Sequence, residues 1–179
     1  MIVKVKFINE EARELYLKAS GKLESVFPFK KYDRDFCYDV VATSCKQIAP
    51  NVYKYGIGLA FQICRGPELI EIERRDGWAK CMEFDTSLSP FNLSIDLRPR
   101  SSVWETGMVL SNCTGTVDEL YTGEVSAVFY HLFPDMPIYK VGDKIGQIKV
   151  GVTFPMMFIE ASELDSTDRG NGGYGSTGK

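Results

Sequence analysis

The chain has 179 residues, enough for one domain with a core of its own and short for two. Hydrophobic residues make up 44%, charged ones 25% and aromatic ones 12%, a globular composition that excludes disordered and fibrous classes. The formal net charge of -3, with 21 Lys and Arg scattered along the chain, leaves no basic footprint for nucleic acid. No apolar run approaches the roughly 18 residues of a membrane span, so a cytosolic protein with neither nucleic acid nor membrane as partner is expected.

The opening "IVKVKF" alternates apolar and basic residues, the pattern of a half-buried strand. Asn9 is placed to cap a helix in which Ala12, Leu15, Tyr16 and Ala19 share one face and which Gly21 ends. From residue 36 onward the apolar runs are short, rich in β-branched and aromatic residues, and separated by turn residues: "YDVVAT", "VYKYGIGLAFQIC", "LSIDL", "GMVLSN", "EVSAVFYHLF" and "DKIGQIKVGVTF". That spacing without intervening helical patterns predicts an all-β sandwich or barrel. Residues 65–92 carry little clean periodicity and are expected to form an excursion from the core, built as a hairpin. Cys37, Cys45, Cys64, Cys81 and Cys113 are odd in number and never spaced C-x-x-C, which argues against a disulfide framework and against zinc. After Glu163 the chain turns to Asp, Ser, Thr and Gly, a composition that cannot order itself alone.

Several stretches carry chemistry. In the tail, Gly170, Gly172, Gly173, Gly175 and Gly178 leave backbone amides open to an anion. Arg169, Ser176 and Thr177 add donors, and Tyr174 offers a face on which a base can stack. Gly173 to Lys179 imitates a P-loop, but a Walker lysine must open a helix that faces the phosphates, so the tail is not expected to act as one. Arg100, Ser101 and Ser102 form a compact cationic and hydroxyl cluster. "SNCTGTVDELYTGEV", residues 111–125, reads as a hairpin in which Asp118 lies among Thr116, Val117 and Leu120. A partly desolvated carboxylate there is a candidate general base for activating water. Gln147 follows the Gly142-Asp143 turn in a strand-like run and could hydrogen-bond an anion. His131, the single histidine, has no nucleophile pattern beside it and is expected to be structural or exposed.

In this order, "CYDVVA" (37–42), "PRSS" (99–102), "GTVDELYTGE" (115–124), "GDKIGQ" (142–147) and "RGNGGYGSTG" (169–178) resemble the five motifs of the trimeric dUTP diphosphatases. The third and fifth are the long and specific ones. The resemblance implies a jelly-roll-like, distorted β-barrel of the β-clip type over residues 1–163, with a short N-terminal helix and a mobile arm over 164–179 that closes on a neighbour's site in a homotrimer. It implies hydrolysis of dUTP to dUMP and pyrophosphate by water attack on the α-phosphorus, limiting uracil in DNA and supplying dUMP for thymidylate synthesis. Asp118 would be the base. Arg100, Ser101, Ser102, Gln147, Arg169, Gly175, Ser176 and Thr177 would hold the triphosphate and close over it, with Asp39 binding Mg²⁺ through its waters. Asn112, Thr116, Val117 and Tyr121 would form the deoxyuridine pocket, and Tyr174 would stack on the base. The sequence departs from the pattern in having Cys37 where the motif has Gly, in lacking a basic residue late in the second motif, and in carrying the 65–92 stretch and the N-terminal helix. The other readings are a dUTP-responsive interaction protein using 65–92 and, with less in its favour, a dCTP deaminase of the same fold.

Overall fold

The computed structural model describes residues 2–21, 30, 32, 34–64, 67–73, 79–85 and 91–170. The chain opens with β1 (Ile2–Phe7), in which Val3, Val5 and Phe7 turn inward while Lys4 and Lys6 face solvent, as the alternation predicts. Helix α1 (Glu10–Ser20) follows. The Asn9 side chain accepts from the Ala12 amide, Glu10 and Glu11 occupy the first turn, and Gly21 ends the helix at φ 64°. Ala12 and Tyr16 form its buried face.

The remainder is β-structure: β2 (Tyr38–Val41), β3 (Ser44–Ala49), β4 (Val52–Gly56), β5 (Leu59–Cys64), β6 (Pro67–Glu73), β7 (Ala79–Asp85), β8 (Asn92–Arg98), β9 (Met108–Leu110), β10 (Gly115–Asp118), β11 (Ser126–His131) and β12 (Lys144–Thr153). A 3-10 turn at Ser101–Thr106 joins β8 to β9. Two four-stranded antiparallel sheets form, ordered β10-β8-β12-β2 and β3-β4-β11-β9. Leu93, Ile95, Leu97, Ile145 and Ile148 of the first belong to the same core as Tyr55, Met108, Leu110, Ala127 and Phe129 of the second. The pair β1-β5 and the hairpin β6-β7 stand as two-stranded sheets.

The all-β, jelly-roll-like expectation therefore holds, but the sheets do not close into a barrel. β10, β2, β3 and β9 end their ladders, so the layers remain open. Two local readings change as well, and a third holds. The run 52–64 is two strands, because Gly58 at φ 65° turns the chain where a side chain would strike the Ala12 Cβ at 2.6 Å. The stretch 111–125 is not a hairpin, since β9 pairs with β11 while β10 pairs with β8, and the turn at 111–114 carries the chain from one sheet to the other. The 65–92 excursion does contain a hairpin, β6-β7. No described helix is long and apolar enough to cross a membrane. Cys37, Cys45, Cys64 and Cys113 are free thiols. His131 is buried, its Nε2 lying 2.9 Å from the Met136 carbonyl oxygen, which makes it structural.

Candidate functional site

The outward face of the first four-stranded sheet brings the chemistry-bearing residues onto one surface. Asp39 stands opposite Gln147, which stands opposite Arg98; further along, Lys149, Asp96 and Thr116 form a row, and Gly151, Ser94 and Asp118 another. Because side chains alternate across a strand, the intervening Ile95, Leu97 and Ile148 point into the core. Period-two patterning thus sorts the sheet into an apolar inner side and a polar working side.

At the β2 edge lies a cleft of about 420 Å³ lined by Asp39, Arg100, Ser101 and Gln147 together with Lys30, Tyr32, Asp35, Phe36 and Cys37. The Arg100 Nε lies 3.1 Å from the Asp39 Oδ1, and the Lys144 Nζ 3.4 Å from its Oδ2. One carboxylate therefore steers two cations, and the group of three keeps a net positive charge. Gln147 donates to the Pro99 carbonyl at 3.5 Å, a long bond that ties β12 to the segment carrying Arg100 and Ser101. Ser102 sits half-buried in the 3-10 turn and does not line this cleft. No three His, Cys, Asp or Glu side chains come together among the described residues, so no protein-built metal cage is present there. A lone carboxylate flanked by cations fits a hard ion that arrives with phosphate oxygens and keeps much of its water.

At the β10 edge a second cleft of about 250 Å³ is lined by Thr116, Val117, Asp118, Tyr121, Glu124, Val125 and Ser126. The Tyr121 amide donates to the Asp118 carbonyl at 3.0 Å, closing a turn that folds the ring back over Gly123. The Tyr121 hydroxyl then donates to the Glu124 carbonyl at 3.0 Å. Asn112 precedes this strand, its Nδ2 lying over Gly115, and it is exposed. Asp118 is also exposed, which corrects the expectation of a desolvated carboxylate: Thr116, Val117 and Leu120 do not bury it within one chain. The sequence pattern proposed the residue and misjudged its surroundings.

A family model described as dUTPase matches residues 81–178, more than half of the chain. The chain belongs to the dUTPase family. Deoxyuridine 5'-triphosphate nucleotidohydrolase of Fusobacterium nucleatum is 36% identical over 91 residues, covering 50% of this chain and 62% of that one. The Helicobacter pylori (strain Shi470) protein of the same name is 44% identical over 71 residues, covering 40% and 49%. The chain thus spans less than two thirds of the length of either relative. Among solved structures, a point mutant of the dUTPase of Staphylococcus bacteriophage 80alpha with dUpNHpp aligns with a TM-score of 0.66 at 17% identity, covering 99% of both chains. The dUTPase of phage phi11 of S. aureus, described as revealing a species-specific insert, aligns with a TM-score of 0.58 at 16% identity, over 93% of this chain and all of that one. A point mutant of the phi11 enzyme is described as coordinating a structural Mg(II) ion. At these identities the likeness speaks for the fold.

Within this dUTPase-family chain the five motif stretches divide among three places. The first, second and fourth meet in the larger cleft through Asp39, Arg100, Ser101 and Gln147. The third forms the smaller cleft through Thr116, Val117, Asp118 and Tyr121. The fifth is described only at Arg169 and Gly170, exposed in a turn closed by the Gly170 amide on Thr167, while Tyr174, Gly175, Ser176 and Thr177 lie outside the described residues. The motif reading did not include Lys30, Tyr32, Asp35 and Phe36 of the lining, where the sequence has no periodicity to mark them. It also missed the role of Lys144, although that residue lies inside the quoted fourth motif.

Proposed function

We propose that the chain hydrolyses dUTP to dUMP and pyrophosphate at sites built between copies of itself, three in a ring. The observation that carries this reading is the separation of the two clefts. Asp39 lies on β2 and Asp118 on β10, the opposite edges of one four-stranded sheet. Three strand spacings and the four-residue register offset between Arg98 and Ser94 place them about 14 Å apart across the sheet and about 13 Å apart along it. A phosphate cleft and a base at that distance cannot serve one phosphorus atom, so the larger cleft of one copy would face the smaller cleft of the next. Exposed apolar residues support assembly: Phe154, Met156, Met157, Phe158 and Ile159 are each at least 68% exposed in one extended segment, more apolar surface than a lone chain keeps.

In the assembled site, Arg100, Ser101 and Gln147 would bind the triphosphate, and Asp118, desolvated by the neighbouring copy, would orient a water. The water oxygen bonds to the α-phosphorus as the bridging oxygen to the β-phosphorus leaves with pyrophosphate, and the water's proton passes to the Asp118 carboxylate. Positioning and charge neutralisation carry most of such a reaction. Mg²⁺, with Asp39 holding it through water, would supply further neutralisation of the phosphate oxygens. The β10 backbone with Asn112, Thr116 and Val117 would read uracil, and Tyr121 would lie under the deoxyribose where a 2′-hydroxyl has no room. Arg169, Tyr174, Gly175, Ser176 and Thr177, in the arm over 164–179, would close over the bound nucleotide.

The test is pyrophosphate release from dUTP, dCTP, dTTP and UTP with and without Mg²⁺. Release from dUTP alone, lost in Asp118→Asn by at least about 10²-fold, is expected. Mixing Asp118→Asn with Arg100→Ala should then restore activity, because each variant carries the cleft that the other lacks. Activity absent from the wild type, or no rescue in stably mixed oligomers, would sink the reaction or the shared-site reading respectively.

A further inference from the structure

We infer that Lys30 is an additional polyphosphate anchor of the larger cleft, supplied from outside the span that the family model matches; the inference rests on the reading of that cleft as the triphosphate site. Lys30 lines the same cleft as Arg100 and Ser101. Its ammonium is held at two points. It donates to the Asp35 carbonyl at 3.0 Å, and it lies 5.1 Å from the centroid of the Tyr38 ring, within cation–π range. Tyr38 precedes Asp39 on β2 with its ring packed against the core side of the strand, so the link between the lysine and Asp39 is the cleft that both line.

The charge balance assigns Lys30 its role. Arg100 and Lys144 both pair with Asp39, so the three together carry only one net positive charge toward a triphosphate that stays anionic even with one Mg²⁺ bound. The Asp35 carboxylate, the other acid in the lining, accepts from the Tyr32 amide at 3.0 Å, whereas Lys30 contacts the Asp35 carbonyl and not its carboxylate. No ion pair joins Lys30 to an acidic side chain among the described residues. An ammonium has three N–H donors, and the Asp35 carbonyl uses one. A solvated surface lysine would wave on a flexible stem, but this one is half-buried, braced by a ring and a carbonyl, and set in a cleft wall. As a compact point charge it fits phosphate oxygens without dictating a planar geometry. It therefore favours ligands by the number of phosphates they carry, leaving the base to the other cleft.

The experiment is calorimetric titration of the full chain with a non-hydrolysable α,β-imido analogue of dUTP and with dUMP, for wild type, Lys30→Gln and Lys30→Arg. Lys30→Gln keeps a stem over Tyr38 and removes the charge. It should weaken the analogue about tenfold, the size of one lost charge-assisted hydrogen bond, and dUMP by clearly less. Lys30→Arg should restore most of the affinity, and in steady state Lys30→Gln should raise KM for dUTP by more than it lowers kcat. Equal binding of the analogue by wild type and Lys30→Gln, or an equal loss for analogue and dUMP, overturns the assignment. A wild type that binds neither the analogue nor dUMP overturns the function on which it rests.

Discussion

Tyr121 makes its strongest commitment through a residue that has no side chain. A Cβ on Gly123 would lie 2.7 Å from the Tyr121 hydroxyl oxygen and 2.8 Å from its ring carbon Cζ, too close for any real contact. Gly123→Ala must therefore push the ring off its bond to the Glu124 carbonyl. Both residues are exposed, so the cost falls on the pocket and not on the core. The variant is expected to keep its melting temperature within about a degree or two and to lose discrimination between dUTP and UTP by about tenfold, as an ill-placed sugar floor would allow. Comparing kcat/KM for the two nucleotides decides it, and unchanged discrimination would free Tyr121 from that role. At this scale the sequence speaks to residue type and order and little to environment. Asp118, Tyr121, Arg100 and Gln147 could be picked out as candidates by residue type and order, but the exposure of Asp118 in the single chain is set by packing that no local pattern encodes.

Helix α1 acts on the site through one hydroxyl. Tyr16 is fully buried, donates to the Ile57 carbonyl at 2.9 Å and accepts from the Val41 amide at 3.1 Å. β2 is the last strand of its ladder, so the tyrosine satisfies a backbone amide on the strand that bears Asp39. Ile57 in turn donates to the Val125 carbonyl, and the Gly58 amide donates to the Glu124 carboxylate beside the Tyr121 pocket. Tyr16→Phe removes both bonds while keeping the ring, and leaving buried backbone groups unpaired should cost about 1–3 kcal/mol. Thermal melting should register a fall of several degrees for a chain of this size, roughly 2–4 °C per kcal/mol; a shift below one degree would mean that the hydroxyl is not a strut. The helix was legible because cap, apolar spacing and terminal glycine all agreed. β3 was not, since all six of its residues are exposed and leave no alternation to read. The break at Gly58 was equally hidden, because the Ala12 Cβ that requires a glycine there comes from α1. Strand partners were the least legible feature: the 111–125 stretch has hairpin-like turns, yet the strands on either side of its first turn join different sheets.

Three buried tyrosines make the stability of the whole molecule sensitive to alkali. Burial raises the phenol pKa of Tyr16, Tyr55 and Tyr139 above the usual value near 10, and Cys45 adds to the effect at Tyr55. The folded state therefore keeps these protons longer than the unfolded chain does. Below about pH 10 both states are protonated and the full stability is present; above it the unfolded chain ionises first and folding weakens until the folded-state pKa is passed. Each such tyrosine removes up to about 1.4 kcal/mol per pH unit in that window. Other groups titrate there too, so the sharp measurement is a difference. Wild type and Tyr16→Phe should be compared by urea unfolding from about pH 7 to about pH 11. Only the wild type loses stability through the Tyr16 proton, so its advantage over Tyr16→Phe should be constant to about pH 9.5 and shrink above it. An advantage that stays level across that whole range would mean that the phenol ionises equally in both states, and that the fully buried hydroxyl between Val41 and Ile57 is open to solvent in the working protein.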